Sequence, residues 1–167
     1  EEISQVITRK RNDLISTSEH LDERLLAFRN VLQLHRKAKE HLDDAARLCD
    51  WADERVKMIR RAKVNVQQDV ALTAEDLQRL ERDRDSVLSK LKNGKENEVV
   101  DLLTRIQLLL ETSKQLEVSS IDKDGLVEVS QQLEERFDRL QQILEEHGLD
   151  LEALRKKMED GNTYFEN

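Results

Sequence analysis

Apolar residues return in steps of three and four along nearly the whole chain, the spacing that gathers side chains on one face of an α-helix. The first series runs Leu14, Leu21, Leu25, Phe28, Leu32, Ala38, Leu42, Ala45, Leu48, Trp51, Val56, Ile59 and Val66. It predicts a single helix of roughly 60 residues, about 90 Å long at the α-helical rise. Ile3, Val6 and Ile7 continue the stripe weakly, so the helix is expected to begin at the first residue. Its end is marked by Arg55, Lys57, Arg60, Arg61 and Lys63, cations that complement the negative C-terminal pole of a helix. The polar, β-branched run from Val64 to Gln68 follows them.

Thr73, with Asp76 three residues later, opens a second helix in the manner of a capping box. That helix carries Leu77, Leu80, Val87, Leu91, Val99, Leu102, Leu103, Ile106, Leu109, Leu110 and Leu116. Its stripe loses register across Lys92-Asn93-Gly94-Lys95. A lone glycine costs only about 1 kcal/mol in a helix, so a continuous but distorted helix is expected there. The polar gap from Glu117 to Gly125 then supplies hydroxyls and carboxylates suited to capping a third helix. The seam of that helix is Leu126, Leu133, Phe137, Leu140, Leu144, His147, Leu151, Leu154 and Met158, in steps of 7, 4, 3, 4, 3, 4, 3 and 4. Such alternation favours left-handed supercoiling against partner helices.

Short connections between long helices make sequential helices antiparallel neighbours. The expected fold is therefore all-α, an antiparallel left-handed three-helix coiled-coil bundle whose very long first helix projects beyond it. Helices are expected at about 1–66, 72–117 and 122–160. Residues 1–30 would be a linker helix, 31–160 the bundle and 161–167 the start of a following segment, with Thr163-Tyr164-Phe165 leaving at the opposite end. The chain contains no proline, as long uninterrupted helices require.

Composition narrows the function. With 38% charged, 37% hydrophobic and 3% aromatic residues, the chain suits helix seams better than a compact enzyme core. A net charge of −8 argues against a general nucleic-acid binder. The single cysteine, Cys49, has no disulfide partner within the chain and is read as a packing residue in a reducing, cytoplasmic compartment. No apolar run is long enough to span a membrane, and membrane contact is not expected. The start at Glu1-Glu2, without methionine, suggests a piece of a longer protein.

The segment Ala45-Ala46-Arg47-Leu48-Cys49-Asp50-Trp51-Ala52-Asp53-Glu54-Arg55 resembles the first helix of a spectrin repeat, in which a tryptophan lies on the core face. Phe137, Leu140, Leu144, His147 and Leu151-Glu152-Ala153-Leu154 stand at intervals similar to those of the third helix, with Phe137 replacing the usual tryptophan and His147 the usual arginine. The chain thus resembles a divergent member of the superfamily found in spectrin, α-actinin, dystrophin, plakins, nesprins and Trio-type exchange factors, over about residues 31–158. The resemblance implies a non-enzymatic spacer and protein-docking repeat within a larger cytoskeletal, junctional or nuclear-envelope tether, with cytoskeletal or scaffold proteins as partners. It also allows a regulatory segment of a Rho exchange factor. An oligomerising coiled-coil adaptor, for example for motors, is the other reading, with a homodimer formed through residues 1–30.

The individual candidates mostly favour structure over chemistry. Trp51, Leu48, Phe137, Leu140, Leu144 and Leu151 are expected in the core. Trp51 would be a hot spot for recognition, or part of a tryptophan-acidic peptide of the kind kinesin light chains read, only if it faced solvent. His35 and His41 lack the i, i+4 spacing for a shared metal and are read as solvated or seam-edge residues. His147, on the seam, is expected as a hydrogen-bonded neutral imidazole. Asp122-Lys123-Asp124-Gly125 fails the calcium-loop spacing, because Gly125 at loop position six leaves Gln131 where a bidentate glutamate is needed. No phosphate loop or nucleophile–base pair is present, so no catalytic residue, metal or cofactor is expected. The basic cluster Arg55, Lys57, Arg60, Arg61 and Lys63 is the candidate patch for an acidic partner.

Overall fold

The computed structural model describes residues 2–67 and 72–166, with side chains through Gly161. Every regular element among them is helical: α1 (Glu2–Gln67), α2 (Ala74–Lys90), a π-helical turn (Leu91–Lys95), α3 (Glu96–Gln115) and α4 (Lys123–Glu166). The expected position of Tyr164 and Phe165 concerns side chains outside the described set.

Cross-helix bonds establish the directions. His35 of α1 shares a hydrogen bond of 2.7 Å with Ser120, just before α4. Farther along, Asp53 pairs with Arg136, and Lys63 reaches Glu146 at 3.2 Å. Numbers rise together on α1 and α4, which are therefore parallel. The middle stretch runs the other way: Glu81 of α2 meets Arg155 of α4, while Arg84 donates to the Leu144 carbonyl at 2.9 Å.

The π turn explains the lost register at Gly94. Leu91 and Val99 are eight residues apart, one more than two α-helical turns of a heptad seam accommodate, so an undistorted helix would rotate one of them off the core. The π turn absorbs the extra residue, with the Glu96 N–H donating to the Leu91 carbonyl five residues back. Both Leu91 and Val99 are consequently buried, and α2 and α3 act as one helical stretch.

Each boundary has a local cause. Thr73 and Asp76 form a reciprocal capping box, the Asp76 N–H donating to Thr73 Oγ1 at 3.1 Å and the Thr73 N–H to the Asp76 carboxylate at 3.0 Å. These bonds hold the Asp76 carboxyl below the usual carboxylate range. At the other loop, the Gly125 N–H donates to Asp122 Oδ1 at 2.9 Å, so the residues once weighed as a calcium loop cap α4. A β-carbon at position 125 would overlap that carboxylate, which accounts for the glycine.

The end of α3 is a Schellman-type stop. The Val118 N–H bonds the Ser113 carbonyl at 2.9 Å, Val118 is buried, and Glu117 takes a left-handed φ of 55°. A side chain in that conformation is strained, so Glu117→Gly is expected to stabilise the chain by about 0.5–1 kcal/mol. An unchanged or lowered urea midpoint would show that the Glu117 side chain contributes more than its backbone costs.

The core is a continuous seam that includes Leu48, Val56 and Ile59 from α1, Ile106 and Leu109 from α3, and Leu126, Leu133, Phe137, Leu140, Leu144 and Leu151 from α4. Trp51 departs from the expected core position. It packs against the seam half buried, stacked on Phe137 with ring centroids 6.1 Å apart, while the small Ala52 beside it is fully buried. The buried positions of α1 are Leu34, Ala38, His41, Ala45, Leu48 and Ala52, and this register leaves residue 51 at the edge.

That register also divides the first stripe. Carried back toward the N-terminus, it passes through Val31, Ala27, Arg24, His20, Thr17 and Asp13, whereas the apolar residues lie one position later, at Leu32, Phe28, Leu25, Leu21 and Leu14. One residue is about 100° of rotation. The stripe that reads as uninterrupted in sequence is therefore two faces. Residues 2–30 are exposed throughout, and α1 projects past the α3–α4 loop as a bare arm about 43 Å long.

Candidate functional site

The basic cluster is only partly available. Lys63 is held by Glu146 at 3.2 Å, with Asp150 at 4.0 Å. Arg55 lies over the Trp51 ring, 5.3 Å from its centroid. Both cations are thus tied into the bundle by α4 carboxylates and by an aromatic face. Lys57, Arg60 and Arg61 are exposed and make no ion pair among the described residues. They share the i, i+3, i+4 face of the last turns of α1. Sequence reasoning grouped five residues by proximity in the chain; packing separates two from the remaining three.

Trp51 receives a second cation, Lys95, from the last position of the π turn, 5.6 Å from the ring centroid. The half-buried ring therefore joins α1, the π turn and α4 rather than offering a free aromatic surface. Trp51→Ala is expected to cost roughly 2–3 kcal/mol, less than loss of a fully enclosed aromatic. Equilibrium urea unfolding checks it, and no change in midpoint would mean that the ring contributes no packing.

The three packed histidines differ from their expected surroundings. His35 bonds Ser120 at the loop. His41, read as a solvated or edge residue, is buried because it falls on the core register of α1. Its Nδ1 has no hydrogen-bond partner, and burial, followed by the nearby Arg105 guanidinium, lowers its pKa. His147 is 2% exposed and its Nδ1 also lacks a partner, contrary to the hydrogen-bonded state expected. Burial again is the main cause of its lowered pKa; Asp150 opposes the shift, while Arg84 and Lys63 reinforce it.

Arg84 is the residue that sequence reasoning missed. Its guanidinium crosses α4 at Gly148, where a β-carbon would overlap it, and Nε donates to the Leu144 carbonyl at 2.9 Å. The available signal was Gly148 itself, a costly residue immediately beside the seam of a long helix.

No arrangement for bond-making chemistry accompanies these features. The groove of about 420 Å³ between α1 and α3 is bordered by Arg47, Lys95 and Arg105 alternating with Asp44, Glu98 and Asp101, all open to solvent or half-buried. Such interleaved opposite charges neutralise one another rather than focusing on a ligand. Cys49 is buried, and burial pushes its thiol pKa up, the reverse of an activated nucleophile. Among the described residues no group of three or more His, Cys, Asp or Glu side chains could hold a metal ion, and no helix is long and apolar enough to cross a membrane.

The surfaces left for partners are the cationic face at Lys57, Arg60 and Arg61 and the apolar stripe of the arm. The chain matches no protein-family model, no curated protein and no solved structure.

Proposed function

We propose that the chain is a non-enzymatic spacer and protein-docking repeat, a divergent left-handed three-helix coiled coil of the spectrin type, working within a larger cytoskeletal, junctional or nuclear-envelope tether. One observation carries this reading: α1 enters past the α3–α4 loop, and α4 continues beyond Arg155, its pairing point with Glu81 near the start of α2, so helices leave the packed region at opposite ends. A load applied through those ends is borne along three parallel helix axes, and the buried seam must shear as a unit before the chain extends. Lys57, Arg60 and Arg61 would meet an acidic cytoskeletal or scaffold protein at the cytoplasmic side of such a tether.

Stretching the chain from its two ends in a single-molecule instrument tests the mechanical part. One cooperative unfolding event is expected, lengthening the chain by about 400 Å as the packed residues become extended. Gradual extension without a resolved event would remove the spacer reading. The exposed stripe on residues 2–30 favours an oligomerising role as a second reading.

A further inference from the structure

We infer that the arm is a self-association surface on which a second copy of this chain lies antiparallel, with the two-fold axis near Ser16. The arm presents Ile7, Leu14, Leu21, Leu25 and Phe28 to solvent, Phe28 being 61% exposed. An apolar face of this length on a soluble chain marks an interaction surface. This chain's own bundle cannot cover it: α1 has neither glycine nor proline at which to fold back, and the stripe is rotated about 100° from the core register.

Charge selects the occupant and its direction. Arg9, Lys10 and Arg11 form a basic block, and Glu19, Asp22 and Glu23 an acidic one, on the same exposed helix. A parallel pair would stack each block on its like. An antiparallel pair in which facing residue numbers sum to 32 sets Arg9 and Lys10 beside the partner's Glu23 and the partner's Asp22, and Glu2 beside the partner's Arg29. The same register places Ile7 against the partner's Leu25, Leu14 against the partner's Ser18 and Ser4 against the partner's Phe28. Large side chains therefore meet small or aliphatic ones, each contact occurring twice as an isologous interface requires. Arg11, facing the partner's Leu21, can turn its guanidinium to the partner's Asp22. Lys10 also approaches the partner's Arg24, on an exposed flank where like charges are screened. In this register residues 2–30 overlap residues 30–2, and both bundles remain clear of the seam.

The pairing does not depend on the spacer reading, which survives if the chain is monomeric. Sedimentation equilibrium of residues 1–167 is expected to show a monomer–dimer equilibrium. Reversing the basic block (R9E/K10E/R11E) or the acidic block (E19K/D22K/E23K) should each weaken dimerisation by about tenfold or more, equivalent to ~1.4 kcal/mol. Combining both reversals in one chain should restore it. Ser18→Cys should not form an intermolecular disulfide, because antiparallel seams set residue 18 against 14; a parallel seam would set it against itself. Leu25→Glu should abolish dimerisation while leaving thermal unfolding of the dilute chain unchanged, which separates the effect from misfolding. A monomer at all concentrations overturns the proposal, whether hydrogen exchange shows the arm open, as for a foreign partner, or protected against its own bundle. Efficient Ser18→Cys cross-linking, or reversals that do not rescue one another, overturns it equally.

Discussion

Leu140→Ala is expected to destabilise the dilute chain by roughly 3–4 kcal/mol, while Leu25→Ala leaves it within about 0.5 kcal/mol. The two substitutions are chemically identical and both fall on the apolar face of a long helix. Leu140 is 0% exposed, enclosed in the seam of α4. Truncating it removes buried methyl groups and leaves a cavity that helices held by neighbouring layers can only partly close. Leu25 is 56% exposed and touches no other helix of its own chain, so alanine there removes little buried area and slightly favours the helix. Urea unfolding at low chain concentration measures both. Equal effects would show that the arm is packed and would overturn the division of α1 into a bundled and an unbundled part.

The second large expected effect is loss of stability on mild acidification. His41 and His147 are buried as neutral imidazoles, and burial lowers both pKa values from the ordinary 6.5. The unfolded chain takes up protons at the ordinary value, whereas the folded chain takes them up only at lower pH. Below about 6.5 the unfolded state therefore binds more protons, and stability falls as pH drops toward the folded values. It is fully present above the ordinary range. The surroundings reinforce this direction: Arg105 and Lys37 face His41, Arg84 and Lys63 face His147, and Glu40, Asp44 and Asp150 offset them only in part. The urea midpoint should decline between pH 8 and 5.5. The double variant H41L/H147L should lose most of that slope while remaining folded, since both positions lie among apolar side chains. An identical slope in the double variant would exclude the histidines as its cause.

How much was legible beforehand depended on whether a feature was local. The capping box at Thr73 and Asp76, the polar gap before α4 and the seam from Leu126 to Leu151 follow from neighbours within one or two turns. Their residues could be read in order. The distortion at Gly94 was visible as an eight-residue step, but its form was not. A π turn and a break are both compatible with that step, and only the need to bury Leu91 and Val99 together selects the π turn.

The candidate site was less legible because it depends on what lies across the helix interface. Arg55 and Lys63 looked like members of a free cationic patch, yet Trp51 and the Glu146–Asp150 pair occupy them. His41 looked peripheral because the long stripe of α1 was traced as one face. A shift of one residue after Leu32 moved the true core register onto His41 and moved Trp51 to its edge. Arg84 had no signal of its own, since its importance comes from a glycine more than sixty positions away in the chain.

The sequence by itself determined a proline-free, all-helical chain with three apolar stretches and two polar gaps, because helix periodicity and capping are properties of residues only a few positions apart. Tertiary packing alone decided which of those apolar residues are enclosed. Burial is conferred by the opposite helix, so the same three-and-four spacing that makes Leu140 a core residue leaves Leu25 in water, and only the extent of α3 and α4 beside α1 distinguishes them.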